Sequence, residues 1–552
     1  MRVLEVPLLS LILIILVSLS QKPTCAVKKS YVVYLGAHSH GPEATLSDLE
    51  RVTDSHYQLL STVLGSHEKA KESIFYSYTR FINGFAAVLD MQEAEEISKN
   101  PYVFSVFENQ GRKLQTTYSW KFLGLEPDTD ELLTRSIWKK ARYGEDTIIA
   151  NLDGGVWPES KSFSDEGMGP IPSRWKGTCQ NSTNKIDPKK YRTKKGVPWA
   201  CNKKLIGARY FIDGFANEVG LSNLANKNIS ARDDTGHGTH TLSTAGGNFV
   251  RNVSVSGNPD LGYGTAKGGS PRARVASYKV CWKAINNNQS GCYDADIIAA
   301  FDAAIHDGVD VISVSIGPQP SSYFNEGISI GSLHAVKQNI LVVTAAGNID
   351  TEASDKNKSG DSNQSVTNIA PWVLTVAANK MDRDFPIKIE LGNRKQLIEG
   401  QSLYPGSLPE QKPYPLVTGA AARAANSTVR DAQLCLARSL DPAKVKGKIL
   451  VCLREITLPV TKGGVALQAG AIGMILVNDM SNGEETVAAP YDLPAANINY
   501  RDGLTLFSYI NSTKSPDLFM THATTRIGGI PAPAMADYSR KGPNTITPEI
   551  LK

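Results

Sequence analysis

Three short segments carry residue types that together could move a proton and stabilise a developing oxyanion. In Thr147-Ile148-Ile149-Ala150-Asn151-Leu152-Asp153-Gly154-Gly155 a carboxylate ends an apolar run and two glycines turn the chain at once. In Asp234-Thr235-Gly236-His237-Gly238-Thr239-His240-Thr241 an imidazole lies between glycines that permit close backbone approach, and Thr239, Thr241, Ser243 and Ala245 begin a helix of small residues. In Val342-Val343-Thr344-Ala345-Ala346-Gly347-Asn348 an apolar strand ends in an amide. A carboxylate can orient an imidazole, an imidazole can move protons, and a side-chain amide can stabilise an oxyanion by about 2.7–4 kcal/mol. Each segment alone has a plainer reading, because Asp-Gly and Gly-Asn are common turns. A metal pair of His237 and His240 is the rival, but their i, i+3 spacing without an intervening glutamate differs from a zinc-protease helix. Acid-base chemistry with neither metal nor cofactor is the favoured expectation.

Such groups need a frame. Apolar runs at 147–152, 274–279, 309–315, 340–345 and 373–377, with helical patterns at 295–307 and 327–338, predict an α/β doubly wound parallel sheet. Sheets of this kind bind ligands at the carboxyl ends of their strands, where Asp153 and Asn348 fall. Upstream, strand patterns at 31–35, 73–78, 84–89 and 103–107 alternate with helical ones at 47–64 and 91–98, a split βαβ order. The polar stretch 109–117 reads as a cuttable linker. Beyond Met381 the pattern lapses into short Gly- and Pro-rich strand units to about residue 525, a separate insert.

With 552 residues, the chain has room for roughly three or four domains. Its 59 Lys and Arg against 54 Asp and Glu give +5, too little for a nucleic-acid footprint. The densest basic run, from Lys185 to Lys195, reads as a solvated loop. The apolar run from Leu8 to Leu19 behind Arg2 is short for a bilayer span and reads as a secretory signal over residues 1–26, with no membrane attachment once it is removed. Sequons begin at Asn181, Asn228, Asn252, Asn288, Asn357, Asn363, Asn426 and Asn511, in keeping with the secretory route. Cys25 lies at the signal boundary. The other cysteines fall as Cys179 and Cys201, Cys281 and Cys292, and Cys435 and Cys452; nearest-neighbour disulfides are expected, although spacing leaves other connectivities open.

The three segments resemble those of the subtilases, and the nearest likeness is to the plant subtilisin-like serine proteases. Leu152-Asp153 through Val156-Trp157-Pro158-Glu159-Ser160 is similar to the family's aspartate segment, Gly236-His237-Gly238-Thr239-His240 to its histidine segment, and Ala346-Gly347-Asn348 to its oxyanion segment. Ser315-Ile316-Gly317 resembles the edge strand that pairs with substrate backbone. The resemblance implies catalytic roles for Asp153 and His237 and an oxyanion role for Asn348. It implies an inhibitory propeptide over 27–115 cut between Gln115 and Thr116, a catalytic domain over 116–394 resuming at 526–552, and a mainly β protease-associated insert over 395–525. Peptide or protein would be the substrate, the propeptide an intramolecular inhibitor, and the apoplast or cell wall the location.

The chain also departs from the family. Gly154 stands where Thr or Ser is usual, Ile349-Asp350-Thr351 follows Asn348 where a small polar residue, Gly and Pro are usual, and Ser539-Arg540-Lys541-Gly542-Pro543-Asn544 replaces Ser-Ser-Arg-Gly-Pro-Asn. No Gly-Thr-Ser, the motif of the nucleophile, occurs in the 552 residues. As written the chain is therefore expected to be inert as a protease and poorly folded in its catalytic part. It is either an incomplete endopeptidase precursor or a non-catalytic secreted glycoprotein that binds other proteins, and sequencing transcripts beyond Lys552 separates the two.

Overall fold

The computed structural model describes residues 28–38, 44–80, 82–108, 120, 122–125, 136–180, 184–186, 193–195, 200–224, 228–255, 258, 260–283, 291–317, 321–349, 365–409, 412–455, 457–536 and 538–552. The signal segment, Cys25, Gln115, Thr116, and the sequon residues Asn181, Asn288, Asn357 and Asn363 lie outside them.

The amino-terminal unit is a four-stranded antiparallel sheet, order β2-β3-β1-β4, from β1 (Lys29–Gly36), β2 (Ile74–Tyr78), β3 (Asn83–Leu89) and β4 (Ser105–Glu108). Helix α1 (Leu46–Leu64) starts at a reciprocal Thr45–Asp48 capping box and ends at Gly65, whose φ of 69° a side chain would resist. Helix α2 (Met91–Ser98) starts at a second box between Asp90 and Glu93. Leu60, Phe85, Leu89 and Ile97 close the core between helices and sheet.

The central body is a six-stranded parallel sheet. Its strands are β5 (Ile148–Asp153), β6 (Leu205–Tyr210), β7 (Arg274–Lys279), β8 (Val311–Val314), β9 (Leu341–Ala345) and β10 (Leu374–Val376), in the order β10-β9-β8-β5-β7-β6. All six residues of β5 are buried, as a central strand between two helical layers requires. Helix α3 (His237–Gly246) packs on β5 and β7. Helices α4 (Asp294–Asp307) and α5 (Gly327–Lys337) form a layer against each other and supply Ile297, Phe301 and Ile330 to the main core. Over the other face of β9 and β10, Leu341, Leu374 and Val376 are 50%, 53% and 50% exposed.

Strand β6 was not anticipated, since Leu-Ile-Gly-Ala-Arg-Tyr is short, holds a glycine, and becomes a strand by pairing with β7. The basic run read as a loop contains two short strands, Asn184–Ile186 and Thr193–Lys195, that pair with each other, and the first of them pairs also with Asn228–Ile229. Cross-strand pairing, which local composition does not encode, converts the run.

From Pro386 the chain builds a closed seven-stranded barrel, β11 (Pro386–Leu391), β12 (Leu397–Gln401), β13 (Tyr414–Thr418), β14 (Ile449–Arg454), β15 (Gly473–Asn478), β16 (Ala495–Ile498) and β17 (Asp517–Met520), in the order β11-β12-β16-β15-β14-β13-β17. Its middle differs from a mainly β expectation. Strands β13 to β16 are parallel, and helices at Pro459–Gln468 and Tyr500–Ser512 lie between or after them. Gly463 and Gly464 hid the first from its composition, yet packing of Gly463 beneath Tyr491 and Leu493 favours the missing side chain.

Three disulfides join Cys179 to Cys201, Cys281 to Cys292 and Cys435 to Cys452, the nearest-neighbour arrangement. Among the described residues no helix is long and apolar enough to cross a membrane.

Candidate active site

Asp153 is the last residue of β5 and is fully buried. A carboxylate in that position must be hydrogen-bonded on all sides. Its Oδ1 accepts the Gly154 N–H at 2.5 Å, and its Oδ2 accepts the Thr241 hydroxyl at 2.9 Å. The Nδ1 atom of His237 lies 3.1 and 3.2 Å from the two carboxylate oxygens. Because an ionised carboxylate only accepts, this contact places the imidazole proton on Nδ1 and leaves Nε2 as the basic nitrogen. Nε2 is buried and has no hydrogen-bond partner among the described residues. A proton donor brought to that atom would meet a lone pair already oriented by Asp153.

The backbone makes this approach possible. His237 opens α3, and the preceding Gly236 has a φ of 87°. A Cβ on Gly238 would come within 2.3 Å of the Gly155 carbonyl oxygen and 2.7 Å of its nitrogen, so the helix start rests directly on the Gly154-Gly155 turn. Gly238 is therefore a packing requirement between two backbones, and Gly236 a conformational one set by its positive φ.

His240 lies three residues along α3; burial first, then the nearby His237, holds its imidazole below the ordinary value, with Asp153 opposing. Among the described residues no cluster of three or more His, Cys, Asp or Glu side chains is gathered as a metal site.

Asn348 follows β9, at the same carboxyl edge as Asp153, with β8 between their strands. The segment around it is held by residues 538–540. Asn348 bridges Ser539, the Ile349 N–H donates to the Tyr538 carbonyl, and the Arg540 N–H donates to the Gly347 carbonyl. The buried Arg540 side chain donates from Nε to the Asn348 carbonyl at 2.9 Å. Gly347 takes φ 89°, and a Cβ there would lie 2.7 Å from the Thr367 hydroxyl. Ser539 is 1% exposed, its hydroxyl donating to the Arg540 carbonyl and accepting the Ala378 N–H.

Ser315, Ile316 and Gly317, which resemble the edge strand that pairs with substrate backbone, follow β8 directly. Regular pairing in β8 ends at Val314, and the Ile316 carbonyl is taken by the Asn368 side chain at 2.8 Å. Gly317 nevertheless lies beside Gly347, since a Cβ on it would be 3.4 Å from the Gly347 Cα. Sequence reasoning also passed over Asp233, Lys279 and Arg540 as site residues. An acidic residue shortly ahead of a helix start was the one signal available, for Asp233. Of the described sequons, Asn252, Asn426 and Asn511 are exposed.

Residues 144–551 match the profile described as the subtilase family, and residues 30–115 match the profile described as peptidase inhibitor I9. The chain belongs to the subtilase family. It is 52% identical over 544 residues to the subtilisin-like protease SBT5.3 of Arabidopsis thaliana, covering 98% of this chain and 66% of that protein. Against SBT5.4 of the same plant it is 52% identical over 540 residues, covering 98% and 65%. Against the subtilisin-like protease Glyma18g48580 of Glycine max it is 48% identical over 542 residues, covering 95% and 64%. This subtilase chain thus spans just under two thirds of the length of these relatives. Its central sheet is the subtilisin-like body, and its amino-terminal unit is the I9 domain.

Proposed function

We propose that this chain belongs to the zymogen of a secreted serine endopeptidase in which Asp153 and His237 form the charge-bearing pair of an Asp-His-Ser triad. The observation that carries this is the two-sided environment of His237: Nδ1 on the carboxylate of a buried Asp153, Nε2 buried and without a partner among the described residues. In such a site a serine hydroxyl at Nε2 would lose its proton to His237 while attacking the peptide carbonyl. His237 would then return the proton to the leaving amine, and Asp153 would hold the tautomer and stabilise the imidazolium. Asn348 would donate its side-chain N–H to the oxyanion. The I9 domain would act as the intramolecular inhibitor released by cleavage at Gln115 and Thr116, and the barrel would be a protease-associated domain.

The 552 residues contain no Gly-Thr-Ser, and Ser539 is committed to a structural hydrogen-bond pair. The 552-residue chain alone is therefore expected not to react with a fluorophosphonate probe. The test of the endopeptidase assignment is peptide cleavage by the gene product purified from a secretory host. Cleavage lost in both His237→Ala and Asp153→Asn supports it. Cleavage that persists in both overturns it.

A further inference from the structure

His237 occupies the first position of α3, where a helix leaves backbone N–H groups unpaired. The usual remedy is a polar N-cap side chain. Here the N-cap is Gly236, required by its φ of 87°, and it has no side chain to offer. Asp233 does the work from outside the helix. Its Oδ1 accepts the N–H groups of Thr235 and Gly236 at 3.0 and 2.8 Å, and its Oδ2 accepts the Thr239 N–H at 2.7 Å and the Thr239 hydroxyl at 2.6 Å. The Thr239 hydroxyl in turn accepts the Trp157 N–H at 2.9 Å, tying the helix start to the segment that follows Asp153.

The loop bearing Asp233 is itself anchored. Its N–H donates to the Val156 carbonyl at 3.0 Å, and the buried Lys279 donates from Nζ to the Arg232 carbonyl at 2.7 Å and pairs with Asp234 at 3.2 Å. Lys279 ends β7 directly opposite Asp153 in the parallel register. Gly154, where the family carries a hydroxyl, sits close against this turn: a Cβ there would lie 3.2 Å from the Thr235 hydroxyl, tighter than ordinary van der Waals contact, and 3.6 Å from Asp233 Oδ1.

We propose that Asp233 is the positioning residue for His237, fixing the first turn of α3 so that the imidazole Nδ1 stays on Asp153, with Lys279 anchoring the loop that carries it. This rests on the assignment of His237 as the general base. Burial pushes the Asp233 carboxyl up, but the Thr239 hydroxyl and N–H and the N–H groups of Thr235 and Gly236 outweigh it and hold the group below its ordinary value, as expected for an acceptor-only clamp.

The test is the proton resonance of His237 Nδ1 in the gene product purified from a secretory host, identified downfield of the amides by its loss in Asp153→Asn. Asp233→Ala is expected to speed exchange of that proton with water by about tenfold or more, with the far-ultraviolet spectrum and cooperative melt retained. Asp233→Asn, which keeps an oxygen for Thr235 and Gly236, is expected to fall between. If Asp233→Ala does not fold, Lys279→Met provides the same readout with Asp233 in place and is expected to speed exchange as well. An unchanged exchange rate in whichever variant is folded overturns the positioning role alone. Absence of the resonance from the unsubstituted chain overturns the Asp153–His237 pair, and the positioning role with it.

Discussion

The Tyr76 hydroxyl, on the edge strand of the I9 domain, donates to Asp296 Oδ1 at 2.9 Å across the junction with the subtilisin-like body. Asp296 also accepts the N–H groups of Gly214 and Phe215, each at 2.9 Å, so one buried carboxylate ties together α4, the segment at 213–215 and the I9 sheet. Burial raises its carboxyl to about 7, with the two backbone N–H groups opposing. Tyr78, donating to the Ala295 carbonyl, and Ile82, donating from its N–H to Asp302, extend the same seam.

Tyr76→Phe removes the donor and leaves the ring packed. The I9 domain is expected to dock more weakly by about 1–2 kcal/mol, roughly tenfold in dissociation. After cleavage of the chain between residues 108 and 120, the rate of domain separation measures the change, and an unaltered rate would count against Asp296 as an anchor.

Asp153→Asn preserves shape but allows the wrong imidazole tautomer. In the gene product, kcat is expected to fall by about 10⁴ with little change in KM. Steady-state kinetics on one peptide substrate decide it.

Gly238→Ala places a methyl against the Gly155 backbone, which has no rotamer with which to yield. Destabilisation of about 1–3 kcal/mol is expected, together with displacement of His237 from Asp153. Chemical denaturation supplies the first quantity and the His237 Nδ1 proton resonance the second.

Lys204 is fully buried and donates to the carbonyls of Pro271 and Ala273 at 2.8 and 2.6 Å, just ahead of β7. Burial, with Arg274 and Arg272 adding repulsion, lowers its ammonium from 10.5 to about 7. Between those values the unfolded chain binds a proton that the folded chain does not. Stability should therefore rise as pH increases from about 7 toward 10.5, and the contribution is lost as pH falls through the folded value. Lys204→Met is expected to flatten that slope in melts recorded across the range. A slope identical to that of the unsubstituted chain would contradict this.

Residues 147–155, 234–241 and 342–348 offered a carboxylate, an imidazole and an amide as the candidate site without any tertiary structure, because a strand that ends in Asp, a Gly-His-Gly turn and a strand that ends in Gly-Asn are local patterns. The strands and helices around them were legible for the same reason: apolar period and turn residues act within a few positions. Which residues hold the pattern in place was not legible. Lys279 supports the histidine loop only because β7 lies next to β5 in register, Asp233 serves as a cap only because Gly236 cannot, and Arg540 clamps Asn348 across a separation in sequence that includes the whole barrel. Strand β6, the paired strands of the basic run and the helices inside the barrel likewise took their form from partners distant in the chain. A side chain's identity is written in the sequence, but a hydrogen bond depends on where two side chains meet, and that meeting is set by the closing of the sheet.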